Sequence, residues 1–409
     1  MKRTPYKFNF ISSLYYLTFF SIMFRNTIST TLGGAVGSFS LALLFLNVPL
    51  LVYVAGRRSV NWIDVLFFFY IFYLTFLVLV FELTASFGSG FTALIGFSNL
   101  ACIFLFWFVY FNFYSSERNA EKVIMLFVTV GFINAIGAVI QFYISPSLFG
   151  LISNGVYADS EVLENVNVTR RAISFIASPQ SLSLYLAFSL CLSTGCKLGA
   201  WKGGVVRSVL LFAGFLTVSK AFFVFVFVFV LFNYLTVRYI GFLILLLLAF
   251  FIGVYSFQEH LARVVQIVYF LNNIDDYSAY RIWEDSLNYA LSFPGLFIGH
   301  GIGVFSRGAQ QIGDYVILHG STESFFLQLL VETGLLGTSI FIMLMLISAF
   351  RLYFMNRVVF SCLIGFSAIS IFTPAVYGFS TGLGFYFCIV WGLLGRKGLK
   401  VIRPIRVSL

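Results

Sequence analysis

Charge is what this sequence has least of. Of its 409 residues only 10% are charged, against about 25% in an ordinary soluble domain. With 60% hydrophobic and 20% aromatic residues, no stretch is left over for a soluble domain. Cysteine is scarce as well. Cys102, Cys191, Cys196, Cys362 and Cys388 lie in or beside apolar runs, with neither a disulfide framework nor metal-ligand spacing, so they read as small buried hydrophobes. The three histidines, His260, His300 and His319, are 40 and 19 residues apart and match no compact zinc motif. No metal and no cofactor is expected. The start, MKRTPYK followed by FNFISSLYYLTFFSIMF, has the basic flank of a signal peptide without a small-residue cleavage site, which predicts a retained first helix. Neither a fixed-period repeat nor an inverted pair of Gly/Pro-broken spans, the mark of many transporters, is visible.

Apolar runs of about 20 residues, each long enough to cross a bilayer as a helix, recur from end to end. They predict an all-α integral membrane protein, a single polytopic unit over 1–409, with about twelve spans: 8–24, 32–55, 61–83, 91–114, 122–145, 180–196, 203–219, 221–237, 239–256, 323–350, 357–377 and 379–395. The stretch AFFVFVFVFVLF looks like a strand by composition, but in lipid an isolated strand leaves its backbone unpaired, so a helix is expected. With a cytoplasmic N-terminus, 18 of the 25 lysines and arginines fall inside, leaving Arg25, Arg170, Arg171, Lys220, Arg263, Arg281 and Arg307 outside. That asymmetry predicts both termini in the cytoplasm. The net charge of +10 therefore encodes orientation and contact with anionic membrane lipids, and implies no nucleic acid.

Two outside loops interrupt the pattern, over 146–179 and 257–322. The longer one holds all three histidines and six of the fifteen acidic residues. Loops of that length are functional or disordered, and its aromatic and aliphatic content argues for order. Within it RIWEDSLNYALS places Trp283, Leu287, Ala290 and Leu291 on one face of an amphipathic helix, which Pro294-Gly295 ends. GHGIGVFSRG then reads as a glycine-hinged return.

Four landmarks follow in order: RRAISFIASPQSLSLYLAF, SKAFFVF, RIWEDSLNYALSFPGLFIGHGIG and HGSTESFFLQLLVETGLLG. In this order and topology the chain resembles the O-antigen polymerase (Wzy) and O-antigen ligase superfamily over roughly residues 120–350. The resemblance implies a GT-C-like bundle in the bacterial inner membrane and a metal-independent glycosyltransferase facing the periplasm. Undecaprenyl-pyrophosphate-linked oligosaccharides would be donor and acceptor. A polymerase would pass the growing glycan to the non-reducing end of a new lipid-linked repeat unit, and would be coupled to a chain-length regulator protein. Alternatives are a ligase, which moves glycan onto lipid A–core, and a lipid-linked oligosaccharide flippase. Short outside loops would fit a flippase better than these.

Such chemistry needs fixed cations for the leaving pyrophosphate and a base for the attacking hydroxyl. Arg170, Arg171, Lys220 and Arg281 are the expected pyrophosphate ligands, arginine being the better fork for phosphate oxygens. Ligases usually carry a His-Asn pair eleven residues before the glycine that here is Gly334. Glu323-Ser324 occupies those positions, a departure that leans towards polymerase. Either Glu323 or His319, four residues earlier, could be the base. Glu323 is preferred by position, since desolvation raises a carboxyl's proton affinity, whereas His319 titrates near neutrality unaided. Plainer readings stand beside these. Arg281 could pair with Glu284 or Asp285, Lys220 could snorkel to headgroups, and Glu323 could cap its helix. Gln328 and Glu332, four apart, could satisfy each other.

Overall fold

Without water to satisfy backbone groups, an apolar chain closes its hydrogen bonds within helices, and every regular element among the described residues is helical. The computed structural model describes residues 5–25, 39–46, 49–50, 61–83, 90–113, 117–144, 171–176, 178–234, 278–292, 295–304 and 323–395. In chain order the α-helices are α1 (Pro5–Met23), α2 (Phe39–Phe45), α3 (Trp62–Leu83), α4 (Gly90–Phe97), α5 (Ile103–Phe113), α6 (Glu117–Tyr143), α7 (Pro179–Thr194) and α8 (Ala200–Leu216). There follow α9 (Lys220–Tyr234), α10 (Ser278–Leu291), α11 (Gly295–Ile298), α12 (Phe325–Met355), α13 (Arg357–Ser370) and α14 (Phe379–Leu394). AFFVFVFVFVLF lies in α9, a helix as expected.

Among the described residues, three helical stretches, Trp62–Val80, Ala120–Tyr143 and Phe325–Met355, are long and apolar enough to cross a membrane by themselves. Of the shorter apolar helices, α13 and α14 pack on α12, and α9 packs on α7 and α13. The helix α14 is buried along nearly its whole length, against α1, α5, α7, α12 and α13. A helix apolar on every side is a core helix. At its inner seam Ser348 of α12 donates to Ile389 O at 2.8 Å, and a Cβ on Gly392 would lie 2.0 Å from Ser348 Oγ. Small residues allow this approach, as in membrane bundles generally. The outer surfaces of α3 and α12 stay apolar, with Phe72 and Phe350 each 69% exposed. Faces like these have lipid as their natural solvent.

Polar helix ends sort to two poles. Phe225 meets Phe366 at 4.9 Å between ring centroids, while Arg357 Nε donates to Phe232 O at 3.0 Å, so α9 and α13 are antiparallel. One pole is capped by basic side chains on helix C-terminal carbonyls: Arg207 on Ser193 O, Arg351 on Leu393 O and Gly395 O, and Arg357 on Phe232 O. Cations at helix C-termini satisfy orphan carbonyls and complement the helix dipole. These three arginines, with Lys197 beside Glu121 at 3.8 Å, all belong to the set that the sequence assigns to one side. The other pole carries Arg25, Arg171, Lys220 and Glu323.

The helices depart from the predicted spans in three places. The span expected over 357–377 ends at Ser370, because Pro374 excludes Thr373 from helical backbone and starts a 3₁₀ turn, Pro374–Tyr377. The stretch 91–114 contains a π-helical turn, Ser98–Cys102. The long helix α12 breaks at Gly334 (φ 64°, ψ −173°). The span predicted over 239–256, most of that over 32–55, and most of the two long loops lie outside the described residues.

Candidate active site

Three segments between α-helices lie at the pole opposite the arginine caps. The first, Arg171–Ile176, enters α7. Ala172 N donates to Leu216 O at 3.1 Å and Arg171 Nε to Thr217 O at 3.2 Å, which ties it to the end of α8. Gln141 Oε1, from the end of α6, accepts from both Ile173 N and Ser174 N at 2.8 and 2.9 Å. Ser178 then caps α7, with Pro179 at its first position, the usual start signal. The Ser/Ala-Pro step in the sequence is therefore a helix cap.

The second connection, Thr217–Ser219, turns α8 into α9. Ser183 Oγ of α7 donates to Ser219 Oγ at 2.9 Å, and Lys220, exposed, opens α9. Arg171 and Lys220 thus flank one junction. The third connection precedes α12. Ser324 caps that helix, accepting from Leu327 N, while its hydroxyl donates to Ser370 O at 3.3 Å at the end of α13. Since α9 and α13 are antiparallel, Ser370 shares the Lys220 end. Ser324 is the cap; Glu323 stands outside the helix, half-buried, and burial raises its carboxyl pKa above the ordinary value.

Backbone conformation singles out the same three connections. Ser174, Val218 and Glu323, at φ 46°, 47° and 52°, are the non-glycine residues with positive φ among those described. Each falls on one of these connections. Left-handed backbone costs a side-chain-bearing residue about 1–2 kcal/mol, and for β-branched Val218 it is a true outlier. The backbone strain of the described residues is thus concentrated at one pole.

Beneath this pole, α12 is interrupted. The GHGIG return inserts into the break at Gly334: His300 N donates to Val331 O at 2.7 Å, and Tyr73 Oη of α3 to Thr333 O at 2.8 Å. Gly299, Gly301 and Gly303 all have positive φ. A Cβ at Gly299 would lie 2.3 Å from Glu332 O. The imidazole of His300 clasps α10 instead of serving the pole: it stacks on Tyr289 at 4.0 Å and bonds Tyr289 O at 2.8 Å and Ser292 Oγ at 3.2 Å. Burial lowers its pKa. Glu332, fully buried, accepts from Gln328 Nε2 at 3.1 Å and from Tyr377 Oη at 2.8 Å, so Gln328 and Glu332 pair as expected and also hold the 3₁₀ turn. Tyr377→Phe is expected to lower stability by about 1–3 kcal/mol, one hydrogen bond to a buried carboxyl. The loss is to be read as a lower melting temperature in detergent.

The expected face of α10 is corrected by the packing. Ser286 and Ala290 are buried, with Ile282, Trp283 and Tyr289 partly so, whereas Leu287 and Leu291 are exposed. The buried stripe is rotated by about one residue from the apolar one, because α10 lies on α12 and α11.

Of the sequence-predicted site residues, Arg171, Lys220 and Glu323 lie at this pole. Arg281 is on the first turns of α10, its side chain outside the described ones; Arg170 and His319 lie outside the described residues altogether. Sequence reasoning used Arg25 only as a topology marker. Its guanidinium lies 4.1 Å from the centroid of the Phe379 ring, where α14 begins, and burial lowers its pKa to about 10. A basic residue directly ending an apolar run was the available signal. Gln141, the acceptor that shapes the first connection, gave none.

The described residues thus form an apolar helical bundle with a polar, cation-bearing and strained pole. Residues 206–342, about a third of the chain, match the family model described as O-Antigen ligase (Wzy_C), and over that region the chain is similar to this family. The matched region takes in Val218, Lys220, α10, Glu323 and the break at Gly334. No curated protein matches the chain.

Proposed function

We propose that the chain is a periplasm-facing O-antigen polymerase, a twelve-span protein of the bacterial inner membrane with both termini in the cytoplasm. The growing glycan leaves its undecaprenyl pyrophosphate carrier and joins the non-reducing end of a new lipid-linked repeat unit. Glu323 is the observation that carries this reading: a carboxyl with raised proton affinity, in strained backbone, at the pole that also holds Arg171 and Lys220. As base it takes the proton of the acceptor hydroxyl. The hydroxyl oxygen bonds to the anomeric carbon, the bond from that carbon to pyrophosphate breaks, and undecaprenyl pyrophosphate departs with the electron pair. Arg171 and Lys220, with Arg170 and Arg281, meet the developing charge. The dipoles of α7, α9 and α12, whose N-termini all lie at this pole, favour the same anion. His319 is the alternative base. A chain-length regulator is the expected partner.

Glu323-Ser324 in place of the ligase His-Asn pair favours polymerase over ligase. Lipopolysaccharide from a deletion strain separates the readings. Core carrying a single repeat unit supports the polymerase; naked core with accumulating lipid-linked polymer would make it a ligase; absence of periplasmic glycan would point to export. Arg171→Lys keeps the charge but loses the guanidinium fork that also bonds Thr217 O. A drop in transfer of about 10- to 100-fold is expected, measured on lipid-linked substrate in reconstituted membranes.

A further inference from the structure

The inner face of α10 carries two buried donors without acceptors. Among the described residues, Trp283 Nε1 and Ser286 Oγ have no hydrogen-bond partner, and Ser286 is fully buried. They are three residues apart and therefore on one face of the helix. Buried polar groups are nearly always paired, and an orphan calls for a ligand, a water or a functional reason. The Trp283 ring lies 6.0 Å from that of Phe372, at an interplanar angle of 37°. Phe372 is 61% exposed, an aromatic ring left bare two residues beyond Ser370, whose carbonyl accepts from Ser324 beside Glu323. The far side of α10 exposes Glu284, Asp285 and Asn288, whereas the Trp283 ring faces Phe372.

We propose that Trp283, Ser286 and Phe372 form a subsite for a sugar ring of the lipid-linked repeat unit. The proposal rests on the glycosyl-transfer reading above and adds where the carbohydrate is held. A pyranose offers C–H faces that pack on aromatic rings and hydroxyl oxygens that accept from an indole N–H and a serine O–H. The orphaned donors are what a sugar would satisfy. Without it they remain unpaired, a cost that a purely structural helix has no reason to retain.

The test uses the full chain in lipid nanodiscs and two probes, a lipid-linked single repeat unit and undecaprenyl pyrophosphate without sugar. The sugar-bearing lipid should bind at least about tenfold more tightly, through two or more hydrogen bonds. Trp283→Phe and Ser286→Ala should each weaken that lipid about fivefold and leave the bare lipid unchanged, one hydrogen bond apiece. Asn288→Ala, on the exposed face, should bind as wild type. Ser286→Ala removes a buried orphan hydroxyl, so its melting temperature should not fall, which separates lost binding from lost folding. Equal affinity for the two lipids, or wild-type sugar binding by both variants, would overturn the subsite. Sugar-dependent binding without any chain elongation would leave the subsite standing and overturn the polymerase reading instead.

Discussion

Glu323→Gly should yield a protein that melts higher and transfers no glycan. The backbone there sits at φ 52°, which glycine adopts freely and other residues only at a cost of about 1–2 kcal/mol. Burial adds a second penalty, because it holds the carboxyl pKa above its ordinary value of 4.5. The sign follows from proton linkage. A carboxyl bound more tightly to its proton in the folded state favours folding below its unfolded pKa. That contribution is lost as pH rises from 4.5 through the raised value. At neutral pH the ionised Glu323 therefore lowers stability, and Glu323→Gln should be at least as stable as wild type. Its activity should fall by about 10²- to 10⁴-fold, the usual contribution of a general base. Wild-type transfer should rise with pH through the same raised pKa, and the Gln variant's residual activity should lack that limb. A parallel loss of stability and activity would instead make Glu323 a structural residue.

Gly334→Ala should prevent accumulation of folded protein. The new Cβ would lie 2.4 Å from the backbone carbon and oxygen of Phe297 and 2.5 Å from Gly299 N. Those are main-chain atoms of α11 and of the return that follows it, and they have no rotamer by which to yield. Left-handed φ and a backbone clash together are expected to cost about 3–5 kcal/mol, which approaches the whole stability of many domains. Gly204→Ala is the control. It lies within α8 with nothing within 4 Å of the new Cβ, so alanine's better helix propensity should leave stability unchanged or raise it by up to about 1 kcal/mol. Membrane levels and thermal melting of fluorescent-tagged protein check both.

What the sequence disclosed was set by what lipid enforces. Apolar runs had to become helices, which is why even the β-branched AFFVFVFVFVLF could be placed. Positive residues sorted to one side, and Arg207, Arg351 and Arg357 do cap helix ends at a common pole. Glu323 was found because it sits eleven residues before a glycine, and that glycine turned out to break its helix. Its strained backbone was invisible, because no residue-level signal marks φ at a serine, a valine or a glutamate. The true inner face of α10 was likewise hidden. Apolar periodicity pointed to Leu287 and Leu291, yet in a membrane protein exposed leucines are satisfied by lipid, and the buried line ran through Ser286. The start of the 3₁₀ turn was legible in Pro374 and passed over. The bond from Tyr377 to Glu332 spans 45 residues and depends on tertiary packing alone.

The claim on which the account turns is that Glu323 performs the chemistry at this pole. It is tested most directly by the lipopolysaccharide of a deletion strain complemented with wild type or Glu323→Gln at matched membrane levels. Wild type should restore the full ladder and Glu323→Gln should leave core bearing a single repeat unit. A full ladder from Glu323→Gln would contradict the account and move the base to His319 or to another residue of the long loop.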